Sequence, residues 1–248
     1  MNAPAITLEA QAKLTLSLRV TGVREDGFHL IDAEMVTLDL ADHLFITSSG
    51  RGLEIVGPFA AGVNSDANNL VNRALRLCNR EAHVRIDKRI PPGGGLGGGS
   101  ADAAAILRWA SFTDFVAASR LGADIPFCMV GGRAHVQGIG EIVSPLPFVG
   151  HDITLIVPPL AISTPKVYRT WDALGGPTGH GSNDLEPAAL VVEPRLVTWR
   201  DRIAAATGVI PTLAGSGATW WISGAHADLA NALPEATVLV TKTRPLSG

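Results

Sequence analysis

Seven consecutive residues, Gly93-Gly94-Gly95-Leu96-Gly97-Gly98-Gly99, hold six glycines between an alternating segment and an alanine-rich one that opens at Ser100. Such a run allows left-handed backbone at several successive positions and lets main chain approach another surface with no Cβ in the way. Placed ahead of a helix, it offers free N–H groups and the positive end of the helix dipole to an anion. A flexible tether is the competing reading of any glycine run. Here Pro91 and Pro92 stiffen the entrance, no serine or charge is mixed in, and ordered-looking segments flank it tightly. The stretch Pro92, Gly93, Gly94, Gly95, Leu96, Gly97, Gly98, Gly99 and Ser100 therefore reads as a cradle for nucleotide phosphates.

Which cradle is a separate question. The Walker loop requires lysine and then Ser or Thr after its last glycine, whereas Gly99 is followed by Ser100-Ala101. Gly93, Gly95 and Gly98 satisfy G-x-G-x-x-G, but a glycine run matches almost any glycine pattern. The acidic residue that a dinucleotide fold places at the end of the next strand is missing; Asp124 lies in the turn-like Gly122-Ala123-Asp124-Ile125-Pro126.

The 248 residues suffice for one large or two modest domains. A formal net charge of −3, with no basic run, gives no footprint for nucleic acid. An anionic ligand must then be held largely by oriented backbone. Cys78 and Cys128 sit in apolar surroundings without metal-ligand spacing, which points to buried structural thiols and a reducing cytoplasm. The first 20 residues do not resemble a signal peptide and no apolar run reaches 18 residues, so neither export nor a membrane is expected.

Ala12, Leu14, Leu16, Leu18 and Val20 alternate with Lys13, Thr15, Ser17 and Arg19, the period of a strand with one apolar and one polar face. Lys13 and Thr15 then project from the same side. A turn at Glu25-Asp26-Gly27 leads into a second extended segment from Phe28 and His29 to Leu40. Asn68 or Asn69 suits the cap of a helix through Cys78, Ser100 suits the cap of the helix after the glycine run, and strands are expected near 84–90, 133–143 and 152–157. Ser163-Thr164-Pro165 and Asn183-Asp184-Leu185-Glu186 read as helix starts, residues 194–207 as a helix, Gly215 to Thr219 as a glycine turn, and Val238–Val240 as a last strand. Strands and helices intermix without a regular βαβ beat, giving an α+β chain with a boundary near residue 150.

Collinear motifs carry a resemblance. They are Ala12-Lys13-Leu14 with Thr21-Gly22, Asp26-Gly27-Phe28-His29, Asn69-Leu70-Val71, Ile86 to Pro91, Gly93 to Ala104, Leu121 to Phe127, Gly138-Ile139-Gly140-Glu141, Ser163-Thr164-Pro165, Ser182 to Glu186, and Gly215-Ser216-Gly217-Ala218. In this order the chain resembles the GHMP small-molecule kinases, and among them those acting on a cytidine diphosphate-linked polyol of the non-mevalonate isoprenoid route. The resemblance implies a two-domain fold, with residues 1–150 an ATP-binding half like domain 2 of ribosomal protein S5. Residues 151–248 would form a ferredoxin-like half, with the active site between them.

The resemblance further implies transfer of the ATP γ-phosphoryl group to the 2-hydroxyl of the methylerythritol moiety, with Mg²⁺, by a monomer or homodimer whose partner is a small-molecule substrate. Asp124 would take the hydroxyl proton and Lys13 would pair with it, although the same Asp124 is also an ordinary helix cap. Asn69 would join the ATP site, and Ser100 could lend its hydroxyl to phosphate or Mg²⁺. Thr15, Phe28, His29, Thr164 and Asp184 would lie on the acceptor side, with His29 reading the cytosine edge; Thr164 and Asp184 double as plausible caps. The Gly215 to Thr219 turn would support the phosphate loop. Departures from the family pattern are Thr15 in place of asparagine, Phe28 in place of tyrosine, Ala101 in place of a second serine, no aromatic near Gly181, and a short stretch from Leu107 to Leu121. They leave open another small-alcohol kinase or a catalytically weakened, nucleotide-binding regulatory homologue.

Overall fold

Two long antiparallel strands, β1 (Ile6–Val23) and β2 (His29–Thr47), organise the first half of the computed structural model, which describes residues 6–48, 50–177 and 181–245. Their tight connection uses Gly27 at φ +85°. There follow β3 (Gly52–Val56), α1 (Leu70–Leu77), β4 (His83–Asp87), α2 (Gly98–Trp109), α3 (Phe115–Leu121), α4 (Ile125–Val130), β5 (Arg133–Gly138) and β6 (Ile142–Leu146). The remainder comprises β7 (Asp152–Val157), α5 (Thr164–Ala173), α6 (Glu186–Val192), α7 (Arg195–Thr207), β8 (Thr212–Leu213), β9 (Trp220–Ser223), α8 (Leu229–Ala232) and β10 (Thr237–Arg244).

One edge of β2 pairs with β1, and the other is shared among three strands: β5 along Ile31–Val36, β10 at Thr37 and Leu38, and β4 along His43–Thr47. The end of β10 thus slots between β5 and β4, while the rest of it pairs with β7 and carries β9 and β8. Its backbone hydrogen bonds join the early and late strands into a single network.

The alternation read from β1 is present, but it does not give one apolar and one polar face. A register shift between Thr15 and Ser17 inserts an extra residue, and one extra residue inverts every side chain beyond it. Ala12 and Leu14 therefore pack with Val36, Leu38, Ile90, Leu96 and Leu155, whereas Leu18 and Val20 belong to the larger core with α2, α4 and α6. Lys13 and Thr15 share the face of Leu18 and Val20 and are buried rather than solvated.

Two helix starts are informative. Asn69 caps α1, its side chain accepting from Val71 N at 2.9 Å. Ser100 does not cap α2: the cap residue is Gly97 in the left-handed region, and Ser100 lies inside the first turn. A glycine cap provides no side-chain acceptor, so the first N–H groups of α2 are left facing the glycine loop. The residues from Leu107 to Leu121 form the end of α2, a short turn and α3. Among the described residues no helix is long and apolar enough to cross a membrane.

Candidate active site

The glycine loop is held from two directions. Gly93, Gly95 and Gly97 have φ of +70°, +77° and +68°, a conformation that side chains resist. Leu96, the one side chain in the run, is buried in the cluster with Ala12 and Leu14, and its carbonyl accepts from Lys13 N at 3.0 Å. Burying a leucine stabilises by about 1.5–3 kcal/mol, enough to pin an otherwise featureless loop. On its other side the loop meets the 214–219 turn. A Cβ built on Gly95 would lie 3.2 Å from the Ala214 carbonyl carbon, and one on Gly94 would strike Thr219 Oγ1. These glycines are required by contact with the second half of the chain as much as by any ligand.

Beside the loop lies a cavity of about 450 Å³, lined by Pro92 to Ser100 together with Asn64, Asp66, Asn68, Asn69, Leu70, Lys88 and Asp102. Asn69 is committed to structure at the same time, its amide donating to Asn64 O at 2.6 Å. Beneath the cavity a buried ionic triad went unread in the sequence: Lys88 Nζ contacts both Asp42 and Asp102, the latter at 2.8 Å, and Asp42 also accepts from Ile90 N. Burial pushes the Asp102 carboxyl up to about 7 against the pull of Lys88, and its Oδ1 has no partner among the described residues. Burial acts to lower the Lys88 pKa, but the charges of Asp102 and Asp42 outweigh it and hold the ammonium above its ordinary value. A signal was available, because Asp102 stands in a run of small apolar residues, and a carboxylate on a buried helix face needs a cation.

Lys13 connects the loop to a carboxylate. Its Nζ lies 3.2 Å from Asp124 Oδ2 and donates to Thr15 Oγ1 at 3.1 Å, and a Cβ on Gly97 would collide with its stem. Asp124 precedes α4 at the cap position but makes no capping hydrogen bond, which leaves its partly exposed carboxylate available to the cleft. Gly140, at φ +110°, packs so tightly under Ala123 that no Cβ fits, and Glu141 holds the same turn through Ile139 N at 2.6 Å. The Gly138 to Glu141 motif is thus the seat of Asp124.

Within electrostatic reach of Asp124 stands Tyr168 of α5. Burial, with a smaller contribution from the negative charge of Asp124, pushes its hydroxyl above the ordinary tyrosine range. Its ring centroid is 4.6 Å from that of His29, and Trp171 meets the same imidazole edge-on at 5.7 Å. Tyr168 and Trp171, three residues apart on α5, thus bring two aromatic rings to the β1–β2 hairpin. Gly181 itself has no side chain to offer, and residues 178–180 lie outside the described ones. Phe28 is largely exposed at the hairpin tip.

Thr164 and Asp184 are drawn into supporting contacts. Thr164 Oγ1 pairs with Ser216 Oγ at 2.7 Å, tying the start of α5 to the glycine turn. Asp184 is fully buried and grips β1 through Arg19 at 2.6 Å and Val20 N at 3.1 Å. Its neighbour Asn183, not singled out beforehand, donates to the carbonyls of Leu213 and Gly215 and so locks the turn against which Gly95 rests. Neither cysteine is paired, and burial pushes the Cys128 thiol up to about 12, which suits an inert core residue.

Among the described residues no group of three or more His, Cys, Asp or Glu could by itself hold a metal ion. The available oxygens near the loop, Ser100 Oγ and Asp124, suit a hard cation that takes most of its ligands from phosphates and water.

Comparison with known proteins gives a consistent result. The family model for the GHMP kinases N terminal domain matches residues 69–132. A 4-diphosphocytidyl-2-C-methyl-D-erythritol kinase of Paracoccus denitrificans is 37% identical over 229 residues, covering 85% of this chain and 84% of the relative. One of Ruegeria pomeroyi is 37% identical over 243 residues, covering 87% of each. A crystal structure of 4-(cytidine 5'-diphospho)-2C-methyl-D-erythritol kinase superposes with a TM-score of 0.75 at 29% identity, covering 98% of this chain and all of that one. The L. major mevalonate kinase in complex with R-mevalonate, at 14% identity and a TM-score of 0.69, shares the fold.

Proposed function

The chain belongs to the 4-diphosphocytidyl-2-C-methyl-D-erythritol kinases of the GHMP family, and from that premise we propose how its own residues phosphorylate the 2-hydroxyl of that cytidyl-linked polyol with ATP. The observation that carries the reading is the junction of the glycine loop with a lysine–carboxylate pair: the Leu96 carbonyl accepts from Lys13 N, and Lys13 Nζ lies 3.2 Å from Asp124 Oδ2.

Residues 1–150 form the ATP-binding half and 151–248 the second half, with Pro92 to Ser100 and Asn69 around the nucleotide. Phosphoryl transfer asks a protein chiefly to align the reactants and neutralise developing charge. Backbone N–H groups of the loop and of the first turn of α2 hold the phosphates. Asp124 accepts the proton of the attacking hydroxyl as the oxygen–phosphorus bond forms and ADP leaves. Lys13, 3.2 Å from Asp124, stabilises the transferring phosphoryl charge. Mg²⁺, held by the phosphates and the Ser100 hydroxyl, would add charge neutralisation. His29, with Tyr168 packed against its ring, offers its edge to the cytosine, with Thr15, Phe28 and Thr164 bordering the acceptor and Asp184 bracing β1. The free thiols of Cys78 and Cys128 fit a reducing cytoplasm.

The intact Lys13–Asp124 pair favours an active enzyme over a regulatory nucleotide binder, which needs neither residue. The Asp26 to His29 element favours the cytidyl-linked polyol over a simpler alcohol as acceptor. The test is ADP formation over a panel of acceptors with Mg²⁺. Turnover is expected with the cytidyl-linked polyol and not with small free alcohols; turnover confined to a simple alcohol, or ATP binding without transfer, would overturn the reading.

A further inference from the structure

The imidazole of His29 is tethered at one nitrogen only. Nε2 lies 2.7 Å from Asp172 Oδ1, while Nδ1 has no hydrogen-bond partner among the described residues. The side chain is 11% exposed, against 45% for Asp172. Tyr168, Trp171 and Asp172 stand at positions i, i+3 and i+4 of α5, so a single helical face supplies the ring beside the imidazole, the wall at its edge and its anchor. An ionised carboxylate only accepts hydrogen bonds, so the imidazole nitrogen against it is the protonated one, and in neutral imidazole the other nitrogen is then an acceptor.

We propose that Asp172 is a positioning residue for base recognition: by holding His29 as the Nε2–H tautomer it leaves Nδ1 as an acceptor, which selects the 4-amino group of cytosine over the 4-oxo group of uracil. This rests on the reading that the acceptor carries a cytidine diphosphate. Opposite uracil two acceptors meet, and an enclosed polar group left without a donor costs more than an ordinary hydrogen bond contributes. Without Asp172 the imidazole is free to carry its proton on either nitrogen, and the preference weakens.

The experiment compares wild type, Asp172→Ala and Asp172→Glu on cytidyl- and uridyl-linked methylerythritol diphosphates, with the His29 tautomer read by ¹⁵N NMR of the ligand-free protein. Wild type is expected to show protonated Nε2, and Asp172→Ala a mixture. Asp172→Ala should raise KM for the cytidyl substrate about tenfold and lower the preference over uridyl about tenfold, the scale of one hydrogen bond. Its kcat and KM for ATP should stay within about twofold of wild type, while Asp172→Glu recovers part of the preference. Wild type with protonated Nδ1, or Asp172→Ala with unchanged cytidyl KM and preference, would overturn the proposal. Failure of the functional reading looks different, because wild type would then turn over neither nucleotide-linked substrate whatever the tautomer.

Discussion

Replacing Gly140 with alanine should disable the enzyme from behind its base. Gly140 sits at φ +110°, and a Cβ there would lie 2.9 Å from the carbonyl carbon of Ala123 and 3.2 Å from its Cα, with the carbonyl oxygen nearer still. Ordinary carbon contacts are about 3.5–4.0 Å, so the two backbones must part by roughly 0.5–1 Å. Both partners are main chain and cannot swing away. The unfavourable φ costs about 1–3 kcal/mol and the overpacking about 1–3 kcal/mol, so the folded state should lose about 2–6 kcal/mol. Ala123 immediately precedes Asp124, whose carboxylate stands 3.2 Å from Lys13 Nζ, so the displacement reaches the base directly. A misplacement near 1 Å at a reacting group costs about 100-fold in rate. Steady-state kinetics should therefore show kcat down by about that factor with KM for ATP little changed, and thermal melting should shift downward. Gly208→Ala is the control: φ is +72° there with nothing within 4 Å of the added carbon, so strain of about 1–2 kcal/mol is its only penalty and kcat should hold. If Gly140→Ala matched Gly208→Ala in both rate and melting, the role given to this close packing would be refuted.

Asp124→Asn keeps size and removes the proton acceptor, so kcat should fall by about 10²–10⁴ while ATP binding persists; wild-type turnover would refute the assignment. Gly95→Val places a branched side chain against the Ala214 carbonyl and 3.3 Å from Gly217 O, unseating the loop. Calorimetry should then detect no ATP binding, and undiminished affinity would contradict the cradle. Asp102 titrates near 7 in the fold against an ordinary 3.8, so the folded state binds its proton more tightly than the unfolded state does. Its contribution to stability is therefore full below the ordinary value and is lost as pH rises towards about 7. Asp102→Asn removes that loss, and its melting temperature relative to wild type should climb between pH 4 and pH 7; a flat difference would show that the carboxyl is not so perturbed.

How much of this was legible beforehand depended on how local each signal is. The glycine run announced its own backbone geometry, and Asn69 announced its cap, because both effects operate within a few residues. Lys13 and Asp124 are 111 positions apart, and only the family resemblance paired them. Period-2 reading placed Lys13 and Thr15 together correctly, yet it could not show that a bulge after Thr15 returns Leu18 and Val20 to the same face, since the extra residue is defined by pairing with β2. Ser100 looked like a cap because serine favours that position, but Gly97 adopts left-handed backbone and starts α2 earlier. The packing of Tyr168 and Trp171 of α5 against His29 is a tertiary juxtaposition with no local trace in the sequence. Gly94, Gly95 and Gly140 were read through a ligand or a motif, whereas each is pressed against another stretch of the same chain.

The central claim is that this loop and the Lys13–Asp124 pair act together to move a phosphoryl group onto one particular hydroxyl. Phosphorus NMR of a reaction containing the protein, ATP, Mg²⁺ and the cytidyl-linked methylerythritol tests it directly. The account predicts a new phosphomonoester resonance from the 2-position, growing in step with ADP and absent with Asp124→Asn. Phosphate appearing at another position, or ATP left intact with the cytidyl substrate bound, would contradict it.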